Sequence, residues 1–121
     1  MKHSKEFLAL VDDARKRVRE VSPEEVRERL GEGGHFLLVD TREDHEWESG
    51  HISYAVHMSR GIIERDIVSA VPEKSTEIVL YCGGGFRSAL AAENLQKMGY
   101  TKVSSMSGGW RRWNELGYPV E

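Results

Sequence analysis

The sequence predicts an α/β fold in three layers: a mainly parallel sheet of about five strands with helices on both faces. Three observations carry this reading. The runs Phe36–Val39 and Ile78–Tyr81 are apolar at every position, as strands covered on both faces are. Between such runs lie segments whose apolar residues recur at three- and four-residue spacing, the pattern of one buried helix face. The links are short and carry Gly or Pro, and strands alternating with helices over short links build parallel sheets.

Taken in order, Phe7, Leu8, Leu10, Val11, Ala14 and Val18 lie on one face of a helix expected from about Ser4 to Arg19. Its basic residues Arg15, Lys16, Arg17 and Arg19 are flanked by Asp12, Asp13 and Glu20, so they read as a solvated face. Ser22-Pro23-Glu24-Glu25 opens a second helix, with Ser22 as N-cap, Pro23 in the first helical position and Glu25 completing a capping box. That helix ends near Leu30. Gly33 and Gly34 then turn the chain into the strand Phe36–Val39, which carries Asp40 and Arg42 at its carboxyl end. Glu43 to Glu48 predicts a helical turn stopped at Gly50, and Ala55 to Met58 a short strand. Ile62, Ile63, Ile67, Val68 and Val71 predict a helix closed by Pro72. The strand Ile78–Tyr81 follows, then a helix after Ser88 that stops at Gly99. Lys102 to Met106 predicts the last strand, and Trp110 to Leu116 the last helix, stopped by Gly117 and Pro119.

At 121 residues the chain is one domain's worth, enough to bury about two thirds of its unfolded surface. Residues 1–20 read as a helical extension and residues 21–121 as the domain.

The chemistry concentrates where the strand Ile78–Tyr81 gives way to a helix. Ligands of open α/β sheets bind at such carboxyl ends. Cys82 stands there, followed by Gly83, Gly84, Gly85, Phe86, Arg87 and Ser88. Glycines without Cβ atoms let a loop curl its amides inward, and successive N–H groups with a helix N-terminus make a nest for an anion. The same field favours thiolate over thiol, and Arg87 adds a permanent charge. A purely packing thiol needs neither three following glycines nor an arginine. Arg87 also lies in a first helical turn, where a cation opposes the helix dipole, so a specific purpose is expected of it. Cys82 is therefore read as a nucleophile.

CGGGFRS, residues 82–88, resembles the active loop of the rhodanese-like sulfurtransferases: a cysteine, four residues, an arginine, and a Ser or Thr opening a helix. Three further stretches are similar to the family's motifs and occur in its order. They are LLVDTRE at Leu37–Glu43, GHI at Gly50–Ile52, and GGW at Gly108–Trp110. The family usually continues Gly-His-Ile with Pro-Gly-Ala, whereas this chain has Ser53-Tyr54-Ala55. The resemblance implies a rhodanese-like three-layer sandwich and transfer of a sulfane sulfur through a Cys82 persulfide. Cys82 and Arg87 would be catalytic, with the loop Gly83, Gly84, Gly85, Phe86 and Ser88 holding the sulfur. Asp40, Arg42 and His51 would support the site, Asp40 capping a turn and Arg42 tying loops. The implied partners are a small sulfur donor, a thiol or cyanide acceptor, and a protein as a further candidate acceptor.

Other readings are set against this one. The glycine cluster lacks the Lys-Ser or Lys-Thr of a nucleotide P-loop. The five histidines show no zinc spacing with the single cysteine, so neither metal nor cofactor is expected. One cysteine also excludes an intrachain disulfide. With 17 basic and 20 acidic residues the net charge is −3, which gives no electrostatic reason to bind nucleic acid or an anionic membrane. The apolar run Phe7–Val11 is too short for a signal peptide, so the cytoplasm is the expected compartment. Trp110 and Trp113 read as core packing. Two alternatives stay open: a non-catalytic rhodanese-like module that binds a partner, and a cysteine-dependent phosphatase or arsenate reductase.

Overall fold

The computed structural model describes residues 2–121. In chain order its elements are α1 (Lys5–Arg15), β1 (Arg19–Val21), α2 (Pro23–Gly31), β2 (Leu37–Asp40), α3 (Asp44–Glu48), β3 (Val56–His57), α4 (Ile63–Ala70), β4 (Ile78–Tyr81), α5 (Phe86–Lys97), β5 (Val103–Met106) and α6 (Gly109–Glu115). The five strands form one sheet in the order β1-β5-β4-β2-β3, and every pairing is parallel. The three-layer α/β sandwich expected from the sequence is the observed fold.

Alternation along β4 sorts the core. Ile78 and Leu80 face one side with Val39, Val103, Ile63 and Ile67 of α4, and Ala91, Ala92 and Leu95 of α5. Val79 and Tyr81 face the other side with Leu38, Met106, Val26 of α2 and Trp113 of α6. Side chains of a strand point alternately to opposite faces, so an all-apolar run fits only a strand covered twice.

The N-terminus departs from expectation. Helix α1 ends at Arg15 rather than Arg19, and residues 19–21 form an edge strand beside β5. Val18 and Val21 continue the apolar spacing of the helix, but they are buried in the two clusters on opposite faces of the sheet. Three-residue spacing in so short a stretch fits a strand approach as well as a helix face. Helix α1 packs on α5 of its own domain, with Val11 and Ala14 buried against Ala89 and Leu90. The capping box at the start of α2 is present: Glu25 N–H donates to Ser22 Oγ at 3.1 Å, and Ser22 N–H donates to Glu25 Oε1 at 3.3 Å. Strand β3 is only two residues long, against four expected. Just before it, Tyr54 has φ of 73°, the only positive φ of a non-glycine residue among the described residues.

Candidate active site

The site is built at the carboxyl end of β4. Thr41, one residue beyond β2, donates its N–H and its Oγ1–H to Tyr81 O, each at 2.8 Å, which fixes the last strand residue before Cys82. The chain then curls back on itself. Gly85 N–H donates to Cys82 Sγ at 3.1 Å, Ser88 N–H at 3.4 Å and Ser88 Oγ at 3.5 Å. Three donors, two of them amides at the start of α5, thus converge on the sulfur of a residue that is 1% exposed. Ser88 Oγ is held in turn by Ser105 Oγ of β5 at 2.8 Å.

The loop also has a back wall. Trp110 N–H donates to Cys82 O at 2.8 Å and Arg111 N–H to Gly83 O at 3.0 Å, so the first turn of α6 draws the loop carbonyls away from the sulfur. Such close approach requires Gly109, whose φ is 53°: a Cβ there would lie 2.4 Å from Cys82 O. This gives the Gly-Gly-Trp stretch its purpose. Within the loop, Gly85 takes the left-handed conformation, φ 94°, whereas Gly83 and Gly84 do not.

Arg87 lies beside the loop, its Nη2 3.2 Å from where a Gly83 Cβ would stand. Its fork meets Glu46 of α3, Nη1 to Oε1 at 2.9 Å and Nη2 to Oε2 at 3.2 Å. These hydrogen bonds hold the Glu46 carboxyl down at about 2, against an ordinary 4.5, and raise Arg87 above its usual value. Sequence reasoning missed Glu46. Its only local signal was its place as third residue of a capping box with Glu43, and nothing local ties it to an arginine 41 positions on.

Asp40 and Arg42, 0% and 3% exposed, pair with each other rather than with Cys82. Asp40 accepts from Arg42 N–H at 2.8 Å and from the guanidinium at 2.8–3.1 Å. Arg42 Nη2 also donates to Gly50 O at 2.6 Å, and the guanidinium lies 4.5 Å over the Trp110 ring, joining β2, the Gly50 turn and α6. His51 stacks on Trp47 with centroids 3.5 Å apart, and His57 lies on a near-parallel plane at 5.0 Å, so Trp47 contacts both rings. Tyr81 OH accepts from Ile52 N–H at 3.1 Å, and burial raises its pKa. Phe86 packs its ring against His3 and Phe7, with Arg15 5.0 Å over it. Trp113 is buried and Trp110 partly so. Among the described residues no cluster of His, Cys, Asp and Glu could hold a metal ion, and no helix is long and apolar enough to cross a membrane.

The chain resembles proteins of known sequence and structure over most of its length. A sulfurtransferase of Allochromatium vinosum is 33% identical over 103 residues, 85% of this chain and 94% of that protein. YrkF of Bacillus subtilis, whose name proposes a sulfur carrier protein, is 30% identical over 96 residues; the match covers 79% of this chain but only about half, 51%, of that relative. A solved structure of a Rhodopseudomonas palustris protein of unknown function, described as a possible tyrosine phosphatase, superposes with a TM-score of 0.85 at 28% identity, over 100% of this chain and 98% of that one. The model of the Rhodanese-like domain matches residues 22–116, a span holding the Cys82 loop, its glycine-built back wall and the strands that carry both, and the chain belongs to that family.

Proposed function

We propose that this protein is a sulfurtransferase that moves a sulfane sulfur from thiosulfate or a persulfide to a thiophilic acceptor through a Cys82 persulfide. The observation that supports it best is the convergence of Gly85 N–H, Ser88 N–H and Ser88 Oγ on Cys82 Sγ. Donors arranged in this way stabilise negative charge on sulfur without reorganisation, first on the attacking thiolate and then on the persulfide. With thiosulfate, the thiolate attacks the outer sulfur, the S–S bond breaks and sulfite leaves. Cyanide or a thiol then takes the sulfur and restores the thiolate. Arg87 stands beside the loop with its charge partnered by Glu46, and Asp40, Arg42 and His51 brace the segments around it. The reaction needs no metal or cofactor. A protein acceptor fits the same chemistry, since any thiol that reaches the loop can serve.

Four residues, Gly83 to Phe86, separate Cys82 from Arg87. Cysteine-dependent phosphatases place one more there, and the wider arc suits a tetrahedral oxyanion. The shorter arc favours a single sulfur. The test is mass spectrometry of the protein after exposure to thiosulfate, with Cys82→Ser as control. One added sulfur on Cys82, removed by cyanide, is the expected result, and Cys82→Ser should fold but transfer nothing. Absence of any sulfur adduct, together with hydrolysis of an aryl phosphate through Cys82, would defeat the assignment.

A further inference from the structure

Arg87 is the guanidinium placed to receive an anionic donor, yet Glu46 already engages both of its terminal nitrogens at 2.9 and 3.2 Å. Glu43, which opens the same turn, adds a second carboxylate near enough to act on Arg87. The other arginine close to this carboxylate, Arg42, is likewise taken, closed on Asp40 and the Gly50 carbonyl. Both guanidinium groups are thus paired with carboxylates before any donor arrives. A dianion reaching for the Arg87 guanidinium would meet a neutral pair, and would have to displace Glu46 to engage the fork.

From this arrangement we infer that Glu46 is a specificity-determining residue which turns the site away from dianionic oxyanion donors and toward persulfides of thiols. The inference rests on the sulfurtransferase reading and narrows its donor. The balance of the favoured step is simple. The Cys82 thiolate attacks the outer sulfur of R–S–SH, a new S–S bond forms and the old one breaks. The leaving R–S⁻ takes the outer sulfur's proton as R–SH, and Cys82 keeps –S–S⁻. No charge is gained or lost, and no oxidant or reductant is used. Thiosulfate delivers the same sulfur but must bring two negative charges to the loop and release sulfite there.

The test compares kcat/KM for cysteine persulfide and for thiosulfate, with cyanide as acceptor, in the wild type and in Glu46→Gln. Gln keeps the shape and the cap acceptor but removes the charge. The expected result is that kcat/KM for thiosulfate rises about tenfold or more relative to that for cysteine persulfide. A proportional loss with both donors would mean that Glu46 only holds the loop in shape, and would overturn the inference while leaving sulfur transfer intact. Loss of transfer from both donors in the wild type would instead sink the sulfurtransferase reading itself. A second measurement uses the wild type alone, so it survives a variant that fails to fold: protection of Cys82 from iodoacetamide by sulfate. Half-protection should need more than about 10 mM sulfate, as for an uncompensated dianion beside a neutral pair. Half-protection at or below about 10 mM would overturn the inference.

Discussion

At the residue scale, the three loop glycines are not equivalent. Gly85 has φ 94°, and a Cβ on it would press within 3.3 Å of Gly108 N and 3.4 Å of Met106 O. Gly84 has an ordinary φ, and the nearest atom to its would-be Cβ is a Phe86 ring carbon at 3.6 Å. Gly85→Val should therefore cost most of the sulfur-transfer rate, about a hundredfold or more, because it displaces an amide that faces Sγ. Gly84→Ala should stay within about threefold of wild type. Steady-state assays of the two variants check the contrast, and equal losses would refute it. Tyr54 presents the opposite case, a side chain where glycine suits the backbone. It holds a φ of 73° while 81% exposed, so its ring contributes little packing to offset left-handed strain. Tyr54→Gly should accordingly raise stability by up to about 1 kcal/mol, read as an increased denaturation midpoint. A fall would show that the ring makes contacts worth more than the strain.

Among the elements, the tie between α3 and α5 carries the clearest dependence on pH. Because Glu46 is held at about 2 instead of 4.5, its bond to Arg87 contributes in full above about pH 4.5 and is lost as pH falls through about 2. The wild type should exceed Glu46→Gln in stability by about 1 kcal/mol at pH 6, a gap that narrows between pH 4.5 and 2; denaturant melts across that range measure it. A gap that widens on acidification would refute the pairing. This tie also marks where sequence reading ended. Cys82, its loop and helix α5 could be read because strand, glycines and helix start lie within a dozen consecutive residues, and each obeys a local rule. The capping box of α2 was legible for the same reason. Glu46 with Arg87, Ser105 behind Ser88, and Gly109 behind Cys82 join residues far apart in sequence, and only the folded sheet brings them together. Strand β1 escaped notice because an edge strand of three residues has too few positions to display a period.

Taken whole, the molecule has two apolar layers that share one sheet, so neither can loosen alone. Leu80 on one face and Val79 on the other are both fully buried in consecutive positions of β4. Leu80→Ala should cost about 2–5 kcal/mol, and it should lower together the helical signal and the fluorescence of Trp113, which lies across the sheet from the deleted side chain. Separate transitions for the two probes would show that the layers melt independently. The two carbonyls flanking the bend at Cys82, those of Cys82 and Gly83, accept their hydrogen bonds from Trp110 and Arg111, and β1 pairs with a strand that ends at Met106. The donors that face the sulfur come from Gly85 and Ser88, yet the clamp that shapes their bend comes from Trp110 and Arg111, on the far side of β5 in sequence. The surroundings of the thiol are therefore set only once the first turn of α6 has docked on the loop carbonyls.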